Sequence, residues 1–137
     1  MKSVSKPVSP HLTIYKPQIT TLLSILHRIS GFLLYLGLLL LGWVIIFSAF
    51  DDVILASSFL DLSVLVFSSI IGKFLLFIWV FSLNFHTVNG IRHLIWDAGI
   101  GFSKEAVTRS GVIALISALI LTIISWILIF EVIFSYV

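Results

Sequence analysis

Cysteine is absent from the 137 residues. That excludes a disulfide, a thiol nucleophile and any iron–sulfur cluster held by this chain's own thiolates. Charge is scarce: six acidic and eight basic side chains make up ten per cent of the chain. Proline occurs three times, as Pro7, Pro10 and Pro17, and nowhere later. There is no internal repeat and no low-complexity linker. What fills the chain is apolar, with sixty per cent hydrophobic residues and a mean hydropathy of +1.23. A water-soluble domain of this length has too little interior to hide so much apolar surface, so lipid has to cover much of it.

The apolar residues fall into runs. Ile29 to Phe50 is uncharged for 22 residues and Gly111 to Phe130 for 20. Each is long enough to cross ~30 Å of hydrocarbon at ~1.5 Å of helix rise per residue. Between them Phe74 to Ile91 adds 18 uncharged residues, with Lys73 placed to snorkel at its edge and an apolar lead-in from Leu62 to Gly72. The expected fold is an all-α membrane protein of one domain over 1–137, with transmembrane helices at about 22–50, 64–93 and 110–134.

Lys2, Lys6, Lys16 and Arg28 precede the first span, and Arg92, Lys104 and Arg109 lie between the second and third. The opposite side has Asp51, Asp52, Asp61 and Glu131 against Lys73 alone. This asymmetry predicts an N-terminus inside and a C-terminus outside. It also accounts for the net charge of +2, so no nucleic acid partner is expected. The inner-surface segment 1–20 holds every proline and is expected to run extended along the membrane. Its "HLTIY" stretch is too apolar for a free tail and is expected to dock on a partner. No signal-peptide core is visible, so the first apolar span is expected to serve as the insertion signal itself.

Polar residues inside the spans are few, and they line up. On a helix through Phe74 to Asp97, the residues His86, Gly90, His93 and Asp97 follow one another at i, i+4, i+7 and i+11. At ~100° per residue they share one stripe, with Ser82 and Trp79 beside it. Arg92 points away from that stripe and is expected to snorkel at the lipid boundary. His86 lies six residues deeper than Arg92, or ~9 Å of helix rise. An ionisable residue at such depth is a functional candidate; the alternative is a neutral histidine bonded to a neighbouring helix. Gly90 supplies a surface without a side chain one turn away, as a flat macrocycle on that histidine requires, although close helix packing explains it equally.

His11, His27, His86 and His93 are the available imidazoles. His86 and His93 lie ~10 Å apart along one helix. Trans nitrogens on one iron are only ~4 Å apart. His27, at the inner end of the first span, is expected to be too shallow to face His86. A second axial ligand is therefore expected from another polypeptide.

At the inner end of the first span, "SILHRISG" puts Ser24, Arg28, Gly31 and Tyr35 on one stripe with His27 at its edge. Interfacial anchoring explains them. So does ligand chemistry: haem propionates need cations at the membrane edge, and a hydroxyl one turn from a guanidinium suits a quinone carbonyl.

"SPHLTIYKPQITTLLSILHRISG", Ser9 to Gly31, and "HTVNGIRHLIWD", His86 to Asp97, resemble the two signatures of the cytochrome b membrane anchors of succinate dehydrogenase, respiratory complex II. Together they cover about a quarter of the chain. The resemblance implies a subunit that packs with a second small membrane anchor in a helical bundle and holds a flavoprotein and an iron–sulfur partner. It implies haem b, with His86 as an axial ligand to the iron, His27, Arg28 and His93 near the propionates, and Gly90 and Asp97 in support. It implies ubiquinone as substrate, bound by Ser24 and Arg28, with flavin, iron–sulfur clusters and succinate oxidation left to the partners. Two other readings stand beside it: a one-haem fumarate reductase anchor, and a non-redox transporter or assembly protein with a buried histidine.

Overall fold

The computed structural model describes residues 16–49, 61, 65–66 and 68–133. The "HLTIY" stretch, His11, Asp51 and Asp52 lie outside them. Among the described residues three long helices follow one another: α1 (Ile19–Ser48), α2 (Ile70–Asp97) and α3 (Lys104–Ile133). All three are long and apolar enough to cross a membrane.

The ends of these helices are set by polar atoms more than by the limits of the apolar runs. Gln18 follows Pro17, and its carbonyl accepts the Leu22 amide at 3.1 Å, so α1 starts as soon as the last proline is passed. Ser69, extended at φ −67° and ψ 156°, accepts the Gly72 amide and starts α2 there. Ser103 accepts the Ala106 amide at 3.2 Å, so α3 begins well before its uncharged run. The α2–α3 turn, "DAGIGFS", needs glycine. Gly99 has φ 80° and Gly101 φ 86°. The Gly99 amide returns to the Trp96 carbonyl and the Ile100 amide to the Ile95 carbonyl, the 5→2 and 6→1 bonds of a Schellman end.

The helices run up, down and up. Trp79 meets Gly37 and His86 meets Gly31, so α1 and α2 are antiparallel. Asn84 bonds to Thr122 and Ser125, while Arg92 reaches Val107, so α2 and α3 are antiparallel as well. The start of α1, the end of α2 and the start of α3 therefore share one end of the bundle, which carries Arg28, Arg92, Lys104 and Arg109.

The interior is inverted relative to that of a soluble protein. Ser30, Ser82, Asn89, Arg92 and Thr122 are buried, whereas most leucines, isoleucines and phenylalanines along all three helices face outward, Ile70 at 82% exposure. In water that arrangement would be unstable, and in lipid it is the favourable one. Leu23, Phe85 and Ala118 form a small packed core, flanked by Ile19, Leu26, Phe81 and Leu115. On α3 the buried stripe is Gly111, Ala114, Ala118 and Thr122, small residues that let the α2 backbone come close.

Gly37 does the same on α1, since a Cβ there would fall inside the Trp79 indole. Gly37→Val is expected to part α1 from α2 at an overpacking cost of about 1–3 kcal/mol. Thermal unfolding in detergent should show this loss, and adding Trp79→Leu should return much of it.

Candidate functional site

The polar stripe of α2 faces α1. His86 projects against the α1 segment His27 to Gly31, "HRISG", and a Cβ on Gly31 would sit 3.0 Å from His86 Cε1. The missing side chain lets the imidazole lie directly on the α1 backbone. There Nδ1 of His86 is 3.2 Å from the His27 carbonyl oxygen and 3.1 Å from Ser30 Oγ. The Ser30 hydroxyl itself donates to the His27 carbonyl at 2.8 Å.

These contacts favour one placement of the imidazole proton. A carbonyl only accepts, so the His27 contact is a hydrogen bond when Nδ1 of His86 carries the hydrogen. With the Ser30 hydrogen on the same carbonyl, Oγ can turn a lone pair toward Nδ1. In that tautomer Nε2 carries the lone pair, the form in which histidine ligates metals. Histidine ligands usually donate their other N–H to just such a carbonyl.

His27 stacks on His86, with ring centroids 3.9 Å apart and planes 8° from parallel. This corrects the depth expected from the sequence. Because α1 begins at Ile19, His27 stands two turns inside the helix, level with His86. The two rings meet face to face, an arrangement that aims neither nitrogen across an iron at the other. His27 also lies 5.4 Å from the His93 ring, and His93 packs edge-on against Trp96 at 5.1 Å. Three of the four histidines thus gather at one end of the α1–α2 seam. Among the described residues they form no set of three metal ligands, and ring contacts are what join them.

The other expected site residues are less engaged. Ser24 is half-buried and Arg28 is exposed, one turn apart on α1. Above Gly90 there is open space, with nothing within 4 Å of an added Cβ. Asp97 is exposed at the end of α2.

Arg92 departs from the sequence expectation. It points away from the His86 stripe, but toward α3 and not toward lipid, and only 5% of it is exposed. Its Nε donates to Ser110 Oγ at 3.0 Å, and its two terminal nitrogens donate to Asn89 Oδ1 at 3.3 Å and the Val107 carbonyl at 3.0 Å. Its guanidinium carbon lies 4.0 Å above the Trp96 ring. With hydrogen bonds and an aromatic face around it, a buried cation is tolerable. The i, i+3 pair of Asn89 and Arg92 is the sequence signal that would have found this cluster. Ser30, by contrast, has no sequence signal for facing His86, since nothing local distinguishes it from Ser24.

The family model for the succinate dehydrogenase/fumarate reductase transmembrane subunit matches residues 2–125. The chain belongs to this family. It is 43% identical over 122 residues to the succinate dehydrogenase cytochrome b556 subunit of Rickettsia bellii, spanning 89% of this chain and 91% of that one. It is 37% identical over 131 residues to the cytochrome b560 subunit of Reclinomonas americana, spanning 92% and 88% of the two chains. With the mitochondrial cytochrome b560 subunit of Mus musculus it shares 38% identity over 122 residues, 86% and 68% of the respective chains. The match to the family covers α1, α2 and most of α3, so the His86 cradle and the Arg92 cluster both fall within it.

Proposed function

We propose that this chain is the cytochrome b membrane anchor of a succinate dehydrogenase in a bacterial inner membrane, providing one axial ligand to haem b and part of a ubiquinone-reduction site. The observation that carries the reading is the His86 ring, whose Nδ1 lies against the His27 carbonyl and Ser30 Oγ of α1. The relatives' names, succinate dehydrogenase cytochrome b subunits, support it. They also favour the succinate-oxidising direction over fumarate reduction. A transporter or assembly role has no such support.

The residues present fit haem. His86 offers the correct tautomer, Gly90 leaves room for a flat ring beside it, and His27 Nδ1 is buried without a hydrogen-bond partner. Because His27 and His86 stack in place of opposing each other, His86 would hold the haem from this chain and a second small anchor would supply the other ligand. His27, Arg28 and His93 lie at the end of the bundle where propionates would meet cations and N–H donors. Asp97 closes α2 at that same end. With the basic residues gathered there, it is the inner end, and the flavoprotein and iron–sulfur subunits dock on it. Haem b, when bound, would supply a one-electron store.

Ubiquinone enters from the lipid with its carbonyls toward Ser24 and Arg28. The Ser24 hydroxyl donates a hydrogen bond to one carbonyl and holds the head group in place. As two electrons arrive from the iron–sulfur partner and two protons are taken up, negative charge grows on the quinone oxygens. The Arg28 guanidinium stabilises that charge; two unit charges ~4 Å apart gain roughly 4 kcal/mol at an effective dielectric near 20.

Ser24→Ala tests the quinone assignment in the assembled complex. Succinate oxidation with a soluble dye should be unchanged while ubiquinone reduction falls by roughly tenfold, the worth of one hydrogen bond of ~1.4 kcal/mol. Equal loss of both activities would signal misassembly, and loss of neither would remove Ser24 from the site.

A further inference from the structure

We propose that Ser30 is a positioning residue for the axial ligand, holding the ring plane of His86. The proposal rests on the reading of His86 as a haem ligand and extends it to a side chain with no assigned role. Ser30 is buried at 4% exposure, on the helix face turned to α2. Its hydroxyl is held by the His27 carbonyl at 2.8 Å, so its orientation is fixed before His86 arrives. A lone pair of Oγ then receives the Nδ1–H at 3.1 Å. The same hydrogen is shared with the His27 carbonyl at 3.2 Å.

Each acceptor does something the other does not. The carbonyl favours a hydrogen on Nδ1, because it has nothing to donate. The hydroxyl adds a second acceptor 2.8 Å from that carbonyl, so Nδ1 is held between two neighbouring oxygens. A ring that satisfies both is no longer free to rotate about its Cβ–Cγ bond. Gly31 and the His27 ring close the remaining sides. Gly31 leaves no Cβ to push the imidazole off the α1 backbone, and the His27 ring covers one face. Three residues within one short stretch of α1, His27, Ser30 and Gly31, thus pre-build the half-site before a partner brings the other ligand.

The two acceptors also draw the Nδ1 proton outward and leave more electron density on the ring. An imidazole whose N–H is well bonded is a more basic ligand and stabilises ferric over ferrous iron. Removing the Ser30 acceptor leaves the carbonyl alone, with a looser ring and a weaker donor.

The test is made on the assembled complex, with haem content, midpoint potential and low-temperature electron paramagnetic resonance read for Ser30→Ala and Ser30→Thr. The alanine variant should keep its low-spin haem, with a shift to higher potential and displaced g values, and threonine, which retains the hydroxyl, should return both to wild type. Wild-type potential and g values in Ser30→Ala would overturn the proposal. Should Ser30→Ala fail to assemble, Gly31→Ala is read instead: its methyl lands on His86 Cε1, and unmoved g values would overturn the cradle equally. The parent reading fails separately, if replacement of His86 itself leaves the low-spin spectrum intact.

Discussion

His86→Ala should abolish the six-coordinate low-spin haem signature of the assembled complex, while His27→Ala should leave it largely in place. The two rings touch, so contact alone does not distinguish them. What does is the chemistry each side chain supplies. His86 offers Nε2 as a bare lone pair because Nδ1–H is bonded to α1. Removing it takes away a ligand, an effect larger than the ~10–100-fold affinity loss typical of groups that merely orient one. Any haem still held by the partner's ligand would be five-coordinate and high-spin.

His27 contributes to His86 mainly through its backbone carbonyl, and alanine keeps that carbonyl. What His27→Ala removes is the stacked ring, worth about 0.5–1.5 kcal/mol for an aromatic pair, or at most about tenfold in occupancy. The decisive measurement is haem per complex together with the oxidised and reduced spectra of both variants. Identical spectra would refute the axial assignment of His86.

Arg92→Leu is expected to be the most destabilising single change in the bundle, although Arg92 sits in none of the expected binding roles. Leucine removes three hydrogen bonds and leaves Asn89, which is fully buried, with no partner for Oδ1. Its Nδ2 is already without one. Val107 is better protected, since its carbonyl keeps the Ser110 hydroxyl at 3.1 Å. Stranding a buried amide costs about 1–3 kcal/mol, and each lost bond to the charged guanidinium adds to that, whereas the desolvation cost of the buried cation disappears. A net loss of about 2–4 kcal/mol follows, concentrated at the α2–α3 contact.

The sign of the coupling is the sharper test. Asn89→Leu added to Arg92→Leu removes the stranded amide along with the cation, so the double variant should be more stable than the sum of the single losses. Thermal unfolding of the complex in detergent measures all three. If Arg92→Leu melts like wild type, the guanidinium is a lipid-facing anchor after all.

These two residues also show what was legible in advance. His86 stood out because lipid makes an isolated imidazole conspicuous, and its stripe with His93 on α2 does face α1. Arg92 was misjudged because helical phase reveals direction and not neighbour. Pointing away from His86 meant pointing at α3, and only the Gly99 and Gly101 turn brings α3 there. His27 reads as too shallow from the sequence because its distance from the start of the span at about 22 says nothing of how α1 and α2 are staggered, and their stagger brings it level with His86. Polar residues near a span continue the helix when their backbone groups are capped, as by Ser69 and Ser103, and hydropathy does not register caps. Ser30 was invisible for a simpler reason: nothing local couples a serine on α1 to a histidine 56 positions later.

Sequence by itself determined that lipid is the solvent, that three spans cross it, which end carries the basic residues, and which α2 stripe holds the candidate ligand. All of these follow from period, length and charge, properties that act along a single helix. Tertiary structure alone decided which helix each stripe meets, since helices apolar on every side carry no hydrophobic bias toward one another in lipid. Small residues and hydrogen bonds choose the contact instead, and they bring His27 to His86, Ser30 to Nδ1 and Arg92 to α3.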